Sequence, residues 1–251
     1  MIYGLYLSAN GLVTQGMRAD VISNNLANSS TPGFKRDFLA LQQRDPEALR
    51  QGAFGKETQR HLLAIGGAVE GARSHSIFQQ GAMKPTGNPL DVAINGSGFF
   101  KATDNKGGVY YTRNGAFTLN AEGLLTMSNG MPVLNLDNGP IEIGEAGEVI
   151  IDEMGRVIAD GEAVDQIGVV DVSDPGALHK VGENLFEAIE PIQEEEADGL
   201  SLLTGHLESS SVSPIREMTA LIEAQRAYQA NAKLIGIQDD TLGKAISQIA
   251  T

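Results

Sequence analysis

His61, His75, His179 and His206 are the side chains best suited to move a proton or hold a metal. None belongs to a His-x-x-x-His pair or stands at ligand spacing from a carboxylate, so their pattern predicts structural roles and no metal site. Glu194-Glu195-Glu196 offers carboxylates for acid-base work or calcium, but adjacent side chains diverge and nothing flanks them in calcium-loop order. The run reads as a solvated loop. Gly96-Ser97-Gly98 follows an apolar run, as a phosphate loop would, yet it leads into Phe99-Phe100-Lys101-Ala102 and not into a helix whose amides could face an anion. It is expected to be a hairpin turn. Serines are plentiful without a Gly-x-Ser-x-Gly elbow, and the absence of cysteine removes thiol nucleophiles, thiolate metal sites and disulfides.

These residues predict a chain that is not an enzyme and takes no cofactor. Two rival functions keep a physical form. A hydrolase of cell-wall glycan needs two carboxylates across a cleft, and a periplasmic binding module needs a concave pocket in the body of the chain.

Charge is concentrated in one segment. Of the formal net charge of −14, residues 141–198 carry 17 acidic side chains against Arg156 and Lys180. Such a surface repels phosphate backbones and disfavours nucleic acid; it reads as a solvated face. The opening residues Met1-Ile2-Tyr3-Gly4-Leu5-Tyr6 show neither a basic run nor an apolar core of signal-peptide length, and no stretch approaches a membrane span. The expectation is a chain without a cleaved signal or membrane insertion.

The two ends read as long helices. Ile2, Leu5, Ala9, Leu12, Gly16, Ala19, Ser23 and Leu26 recur at steps of three and four, a heptad stripe. Ala9, Gly16 and Ser23 are small enough to let a second helix approach closely. The helix is expected to stop at Asn24, Asn25 and Asn28, then Ser29-Ser30-Thr31-Pro32-Gly33. Ser213-Pro214 reads as a cap and first turn, with Glu217 favourably placed near the helix start. From there Met218, Leu221, Gln225, Tyr228, Ala232, Ile235, Asp239, Leu242, Ile246 and Ile249 form a second heptad stripe. Leu5, Leu12, Ala19, Leu26, Leu221, Tyr228, Ile235 and Leu242 are the expected assembly seam, with the two helices pairing as a coiled-coil module.

Short β-branched and aromatic runs fill the centre, among them residues 90–94, 109–112, 116–119, 149–151, 156–158 and 167–172. Asn114-Gly115, Glu122-Gly123, Asn129-Gly130, Asn138-Gly139 and Asp160-Gly161 divide them at hairpin intervals. The fold class is therefore mixed α and β: terminal helices around an all-β body, a sandwich or an irregular barrel. The expected divisions are 1–35 for the N-terminal helix, 36–83 for a linker or irregular segment, 84–206 for the β body and 207–251 for the C-terminal helix.

Three motifs carry a resemblance. Ser23-Asn24-Asn25-Leu26-Ala27-Asn28 with Thr31-Pro32-Gly33-Phe34-Lys35-Arg36 resembles the N-terminal signature of flagellar rod, hook and hook-associated axial proteins. Thr86-Gly87-Asn88-Pro89-Leu90-Asp91-Val92-Ala93-Ile94-Asn95-Gly96-Ser97-Gly98-Phe99-Phe100, followed by Tyr111-Thr112-Arg113-Asn114-Gly115-Ala116-Phe117, is similar to the family's central β segment. Leu207-Glu208-Ser209-Ser210-Ser211-Val212-Ser213, with Ile222-Glu223-Ala224-Gln225-Arg226-Ala227-Tyr228-Gln229-Ala230-Asn231-Ala232-Lys233, resembles its C-terminal signature, departing at Ser211 and Ser213 where the family often has Asn. Within the family the motifs are most similar to those of the proximal rod proteins, with the distal rod proteins next.

The resemblance implies a structural subunit of the bacterial flagellar basal-body rod. It would be exported unfolded by the flagellar type III apparatus and would polymerise helically in the periplasm through its terminal helices. Its partners would be its own copies and neighbouring rod subunits, forming part of the drive shaft and export channel.

Overall fold

The computed structural model describes residues 2–43, 69–104, 106–189, 192–196 and 201–249. A 26-residue helix, α1 (Ile2–Ala27), lies at one end of the chain and a 36-residue helix, α2 (Pro214–Ile249), at the other. Between them, in order, come β1 (Arg36–Gln43), β2 (Val69–Ile77), β3 (Met83–Pro85), β4 (Val92–Asn95), β5 (Phe99–Thr103) and β6 (Val109–Thr112). Next are β7 (Phe117–Leu119), β8 (Leu125–Met127), β9 (Val149–Ile151), β10 (Arg156–Ala159), β11 (Glu162–Gln166) and β12 (Val169–Val172). A 3-10 turn at Pro175–Ala177 leads to β13 (Leu178–Gly182), β14 (Leu185–Ala188), β15 (Glu194–Glu196), β16 (Ser201–Thr204) and β17 (His206–Glu208).

The chain divides into two compact units: Met1–Ala27, Asp37–His75 and Ser213–Thr251 form one, and Asn28–Arg36 with Ser76–Val212 form the other. In the first, α1 ends where the sequence predicts. The Thr31 amide donates to Asn28 O at 3.2 Å and the Thr31 hydroxyl to Asn28 Oδ1 at 3.2 Å, so side-chain and turn bonds replace the helical ladder before Pro32. Helix α2 begins on Pro214, whose missing N–H costs nothing at a first helical position, and Glu217 places its charge in the first turn. Residues 36–83, expected as a linker or irregular segment, hold β1 and β2, paired as a two-stranded sheet, and the start of β3; residues 44–68 of that segment lie outside the described residues.

The second unit is built on a six-stranded antiparallel sheet of order β13-β14-β6-β5-β12-β15. Alternation along its strands divides adjacent apolar residues between two cores. Phe100 and Val169, cross-strand partners, pack with Val92, Phe117, Leu125, Ile141 and Leu202. Phe99 and Val170, the next pair in the same register, pack instead with Tyr111, Leu178 and Phe186. Edge-on rings tighten both, with Phe100 and Phe117 centroids 5.1 Å apart and Phe78 and Phe99 5.3 Å apart.

The expected turns do their work through positive φ, except Asn114-Gly115, which has none and joins β6 to β7 in a different sheet, so it is not a hairpin turn. Asp160 (φ 50°) and Gly161 (φ 90°) form the two-residue turn between Ala159 of β10 and Glu162 of β11. Glu183 (φ 49°) and Asn184 (φ 61°) do the same between β13 and β14 without any glycine in the turn, which is why the pattern of Gly pairs does not disclose that hairpin.

Two further expectations are corrected. Gly96-Ser97-Gly98 is not a hairpin turn: β4 pairs with β16 whereas β5 pairs with β6 and β12, so the loop carries the chain from one sheet to another. Glu194-Glu195-Glu196 is not a loop. It is β15, paired with β12 through Val170↔Glu196, Asp171↔Glu195 and Val172↔Glu194, because backbone pairing at a sheet edge needs no particular side chain.

Candidate assembly surface

Within the first unit α1 packs on α2. A β-carbon placed on Gly11 would lie 2.9 Å from Asn231 Nδ2, and one on Gly4 would lie 3.0 Å from Gln238 Nε2, so two α2 amides rest directly on α1 glycines. At the far end of α1 Asn25 Nδ2 reaches Glu217 Oε2 at 3.4 Å, which makes the pair antiparallel. The covered line of α1 runs beside the expected leucine stripe, and Ser8, Thr14, Ile22 and Asn25 are its buried members. Close approach at Gly16, the middle of the expected small-residue line, is corrected: nothing lies within 4 Å of a β-carbon there, and Ser23 is exposed. A helix can come close only where the facing side chain is absent, and here that is Gly4 and Gly11.

The expected seam residues fall on the margins of this contact. Leu5, Leu12, Ala19 and Leu26 on α1, and Leu221, Ile235 and Leu242 on α2, are half-buried, while Tyr228 is 47% exposed. Beyond them lie apolar residues that the pair leaves open. On α2, Ile215, Ile222 and Ile237 are 75%, 51% and 52% exposed and Met218 is open as well; on α1, Tyr6, Val13 and Met17 are exposed.

Asn25 explains why its motif carries that residue. Its amide accepts from the Asp37 N–H at 2.9 Å and donates to the Asp37 carbonyl at 2.8 Å, the two bonds a neighbouring strand would make to the start of β1. Asn24 and Ala27 are exposed, as are Gln225 and Arg226.

Within the second unit the segment around Thr31-Pro32-Gly33-Phe34-Lys35 is clasped by residues 208–211, which run from the end of β17 toward α2. The Gly33 N–H donates to Glu208 O at 2.7 Å, the Ser211 N–H to Phe34 O at 3.0 Å, and the Arg36 N–H to Ser211 Oγ at 3.0 Å. Asn184 Nδ2 donates to Pro32 O at 2.9 Å, and Lys180 Nζ sits 3.5 Å from the centre of the Phe34 ring.

Beneath this clasp lies a buried charge cluster. Lys35 Nζ meets Glu208 Oε1 at 2.5 Å, both side chains being 1% exposed, and it also donates to Gln79 O at 2.9 Å. The Gly81 N–H donates to the same carboxylate at 2.6 Å. Arg113 Nη1 stands 3.7 Å from Glu208 Oε2, an ionic contact too long for a hydrogen bond, and donates instead to Gly96 O at 2.8 Å. Burial pushes both the Lys35 ammonium and the Arg113 guanidinium down from their ordinary ranges, and the Glu208 charge opposes that in each. None of the three stands out from the sequence as a site. The available signal is that Lys35 shares an otherwise uncharged motif with Arg36 and Arg113 shares one with Asp91, while Glu208 is the one charge of Leu207–Ser213.

Among the described residues the histidines stay apart. His75 faces Phe38 with ring centres 5.7 Å apart, His206 Nδ1 lies 2.8 Å from Thr204 O, His179 is on β13, and His61 lies outside the described residues. Glu194 accepts from the Tyr111 hydroxyl at 2.5 Å and pairs with Lys101 Nζ at 3.4 Å. Burial and the Glu194 bond raise the Tyr111 phenol above its ordinary value. Among the described residues no helix is long and apolar enough to cross a membrane.

Comparison with known proteins places three family matches in order along the chain. Residues 5–35 match the family described as flagella basal body rod protein, residues 93–159 the flagellar hook protein FlgE/F/G D1 domain, and residues 203–248 the flagellar basal body rod FlgEFG protein C-terminal. The flagellar basal-body rod protein FlgG of Buchnera aphidicola subsp. Schizaphis graminum is 33% identical over 263 residues, covering 99% of this chain and 100% of its own. FlgG of Bacillus subtilis is 32% identical over 266 residues, covering 98% and 99%. FlgF of Caulobacter vibrioides is 35% identical over 232 residues, covering 92% and 91%. FlgF and FlgG match alike, over nearly their full lengths, and with paired terminal helices and a strand-rich body this chain belongs to the flagellar basal-body rod protein family.

Proposed function

We propose that this chain is a structural subunit of the flagellar rod that polymerises through the outer faces of its paired terminal helices. The observation that carries the reading is the apolar surface left open once α1 and α2 have packed: Ile215, Met218, Ile222 and Ile237 on one helix, Tyr6, Val13 and Met17 on the other. Scattered apolar residues are ordinary on a surface, but rows along both helices of one pair favour burial against another molecule. Other copies of the chain and neighbouring rod subunits supply that cover. In the assembled state the half-buried Leu5, Leu12, Ala19, Leu26, Leu221, Ile235 and Leu242, with the exposed Tyr228, complete a coiled-coil seam around the pair. Head-to-tail repetition of such contacts gives an open helical filament and not a closed ring.

In this role the chain carries no catalytic activity, reaches the periplasm through the flagellar export apparatus without a cleaved signal, and needs no cofactor. Its acidic segment serves as the solvated side of the body. A double substitution tests the surface: Val13→Asp with Ile222→Asp, both on exposed positions, is expected to abolish incorporation into the rod and motility while the purified chain keeps its native circular dichroism spectrum. Normal motility in that double variant would remove the outer faces from assembly.

A further inference from the structure

Three contacts between α1 and α2 share one spacing. Gly4 faces Gln238, Gly11 faces Asn231 and Asn25 faces Glu217, so each advance along α1 by one or two heptads is matched by an equal retreat along α2. The same offset places Arg18 and Ala224 in the remaining layer, and Ala224 is buried. No layer of this line pairs two leucines.

A seam of identical apolar layers is nearly as well satisfied after a slip of seven residues, because the pattern repeats. These layers are not interchangeable. If α2 slipped by one heptad so that Ala245 reached Gly4, Asn231 would meet the Arg18 side chain and Asn25 would face Ala224 in place of the Glu217 carboxylate. The arrangement also gives up stability: Gln238 Oε1, Gln15 Oε1 and Asn10 Nδ2 are buried without a hydrogen-bond partner. Polar groups retained at such a cost are best known as register devices in helix pairs.

We infer that Asn231 and Gln238, seated on Gly11 and Gly4, are the residues that fix the register and antiparallel orientation of the terminal helix pair. They are positioning residues. The inference concerns pairing within one chain and stands or falls apart from the proposed outer-face assembly, whose test alters other residues.

The chain has no cysteine, so engineered pairs report without background. In the full-length chain Arg18→Cys with Ala224→Cys, the layer that leaves both amides and both glycines in place, reports the native register, and Gly4→Cys with Ala245→Cys reports the one-heptad slip, each captured by a short bis-maleimide and read as an intrachain product on a gel. The native pair is expected to cross-link and the slipped pair to stay at background. Adding Asn231→Leu and Gln238→Leu to the slipped reporter is expected to raise its product about tenfold, and Asn231→Gln with Gln238→Asn, which keeps the amides, to leave it near background. The inference is overturned if the leucine variant keeps its helicity yet shows no slipped product. Loss of helicity in that variant also overturns it, since the amides would then be holding the pair together and not choosing its register. So does failure of the native reporter to cross-link.

Discussion

Glu208→Ala is expected to destabilise the chain by about 3–5 kcal/mol, measured by urea unfolding followed with far-ultraviolet circular dichroism. The chain has no tryptophan to report by fluorescence. Among the described residues Glu208 is the carboxylate in ionic contact with both Lys35 and Arg113, and it also accepts the Gly81 N–H. Its removal leaves Lys35 buried without its counter-charge and Arg113 with only the weaker influence of Asp171, and the cost is mainly theirs. The comparison that isolates this effect is the triple variant Lys35→Met, Arg113→Leu, Glu208→Leu. Replacing the whole cluster with apolar groups of similar volume is expected to cost less than removing Glu208 alone. A triple variant no better than the single one would show that packing or the Gly81 bond, and not unpaired charge, sets the penalty.

Gly33→Ala has the second large effect. Gly33 sits at φ +69°, and a β-carbon there would lie 2.5 Å from the Arg113 carbonyl carbon and 2.6 Å from the Asn114 nitrogen. The left-handed conformation alone costs an alanine about 1–2 kcal/mol. Both clashing atoms are backbone and cannot rotate away, so the overpacking adds a further 1–3 kcal/mol or so. Gly87 is the control: its φ is +77° but nothing lies within 4 Å of its β-carbon position. Gly87→Ala is therefore expected to show the conformational part only. Equal losses of urea midpoint in the two variants would eliminate close approach as the reason for glycine at position 33.

Both results bear on how much was legible beforehand. The helix boundary at Asn28 to Gly33 follows from Pro and Asn chemistry acting over a few residues, and the start of α2 on Pro214 follows from the same kind of local rule. Strands β6, β9 and β10 were readable because β-branched and aromatic residues stood between turn pairs. Strand β15 was not. Three consecutive glutamates have no strand pattern, and only the open edge of β12 makes one of them.

The family motifs were legible as spellings, and the structure supplies their physics. Asn25 mimics a strand for β1, Gly33 lets two backbones touch, and Lys35, Arg113 and Glu208 meet although they come from three motifs far apart in the chain. Heptad periodicity announced two partner-seeking helices. It could not choose between adjacent stripes, because an apolar stripe is equally consistent with covering by the same chain or by another.

By itself, then, the sequence determined what local chemistry controls: where helices start and stop, which runs extend, where φ must turn positive, and that the ends carry more apolar surface than one helix can hide. Tertiary structure alone decided which faces meet. The close approach at Gly33 and the charge cluster join residues 80 or more positions apart, and no pattern read along one segment contains the shape of the other.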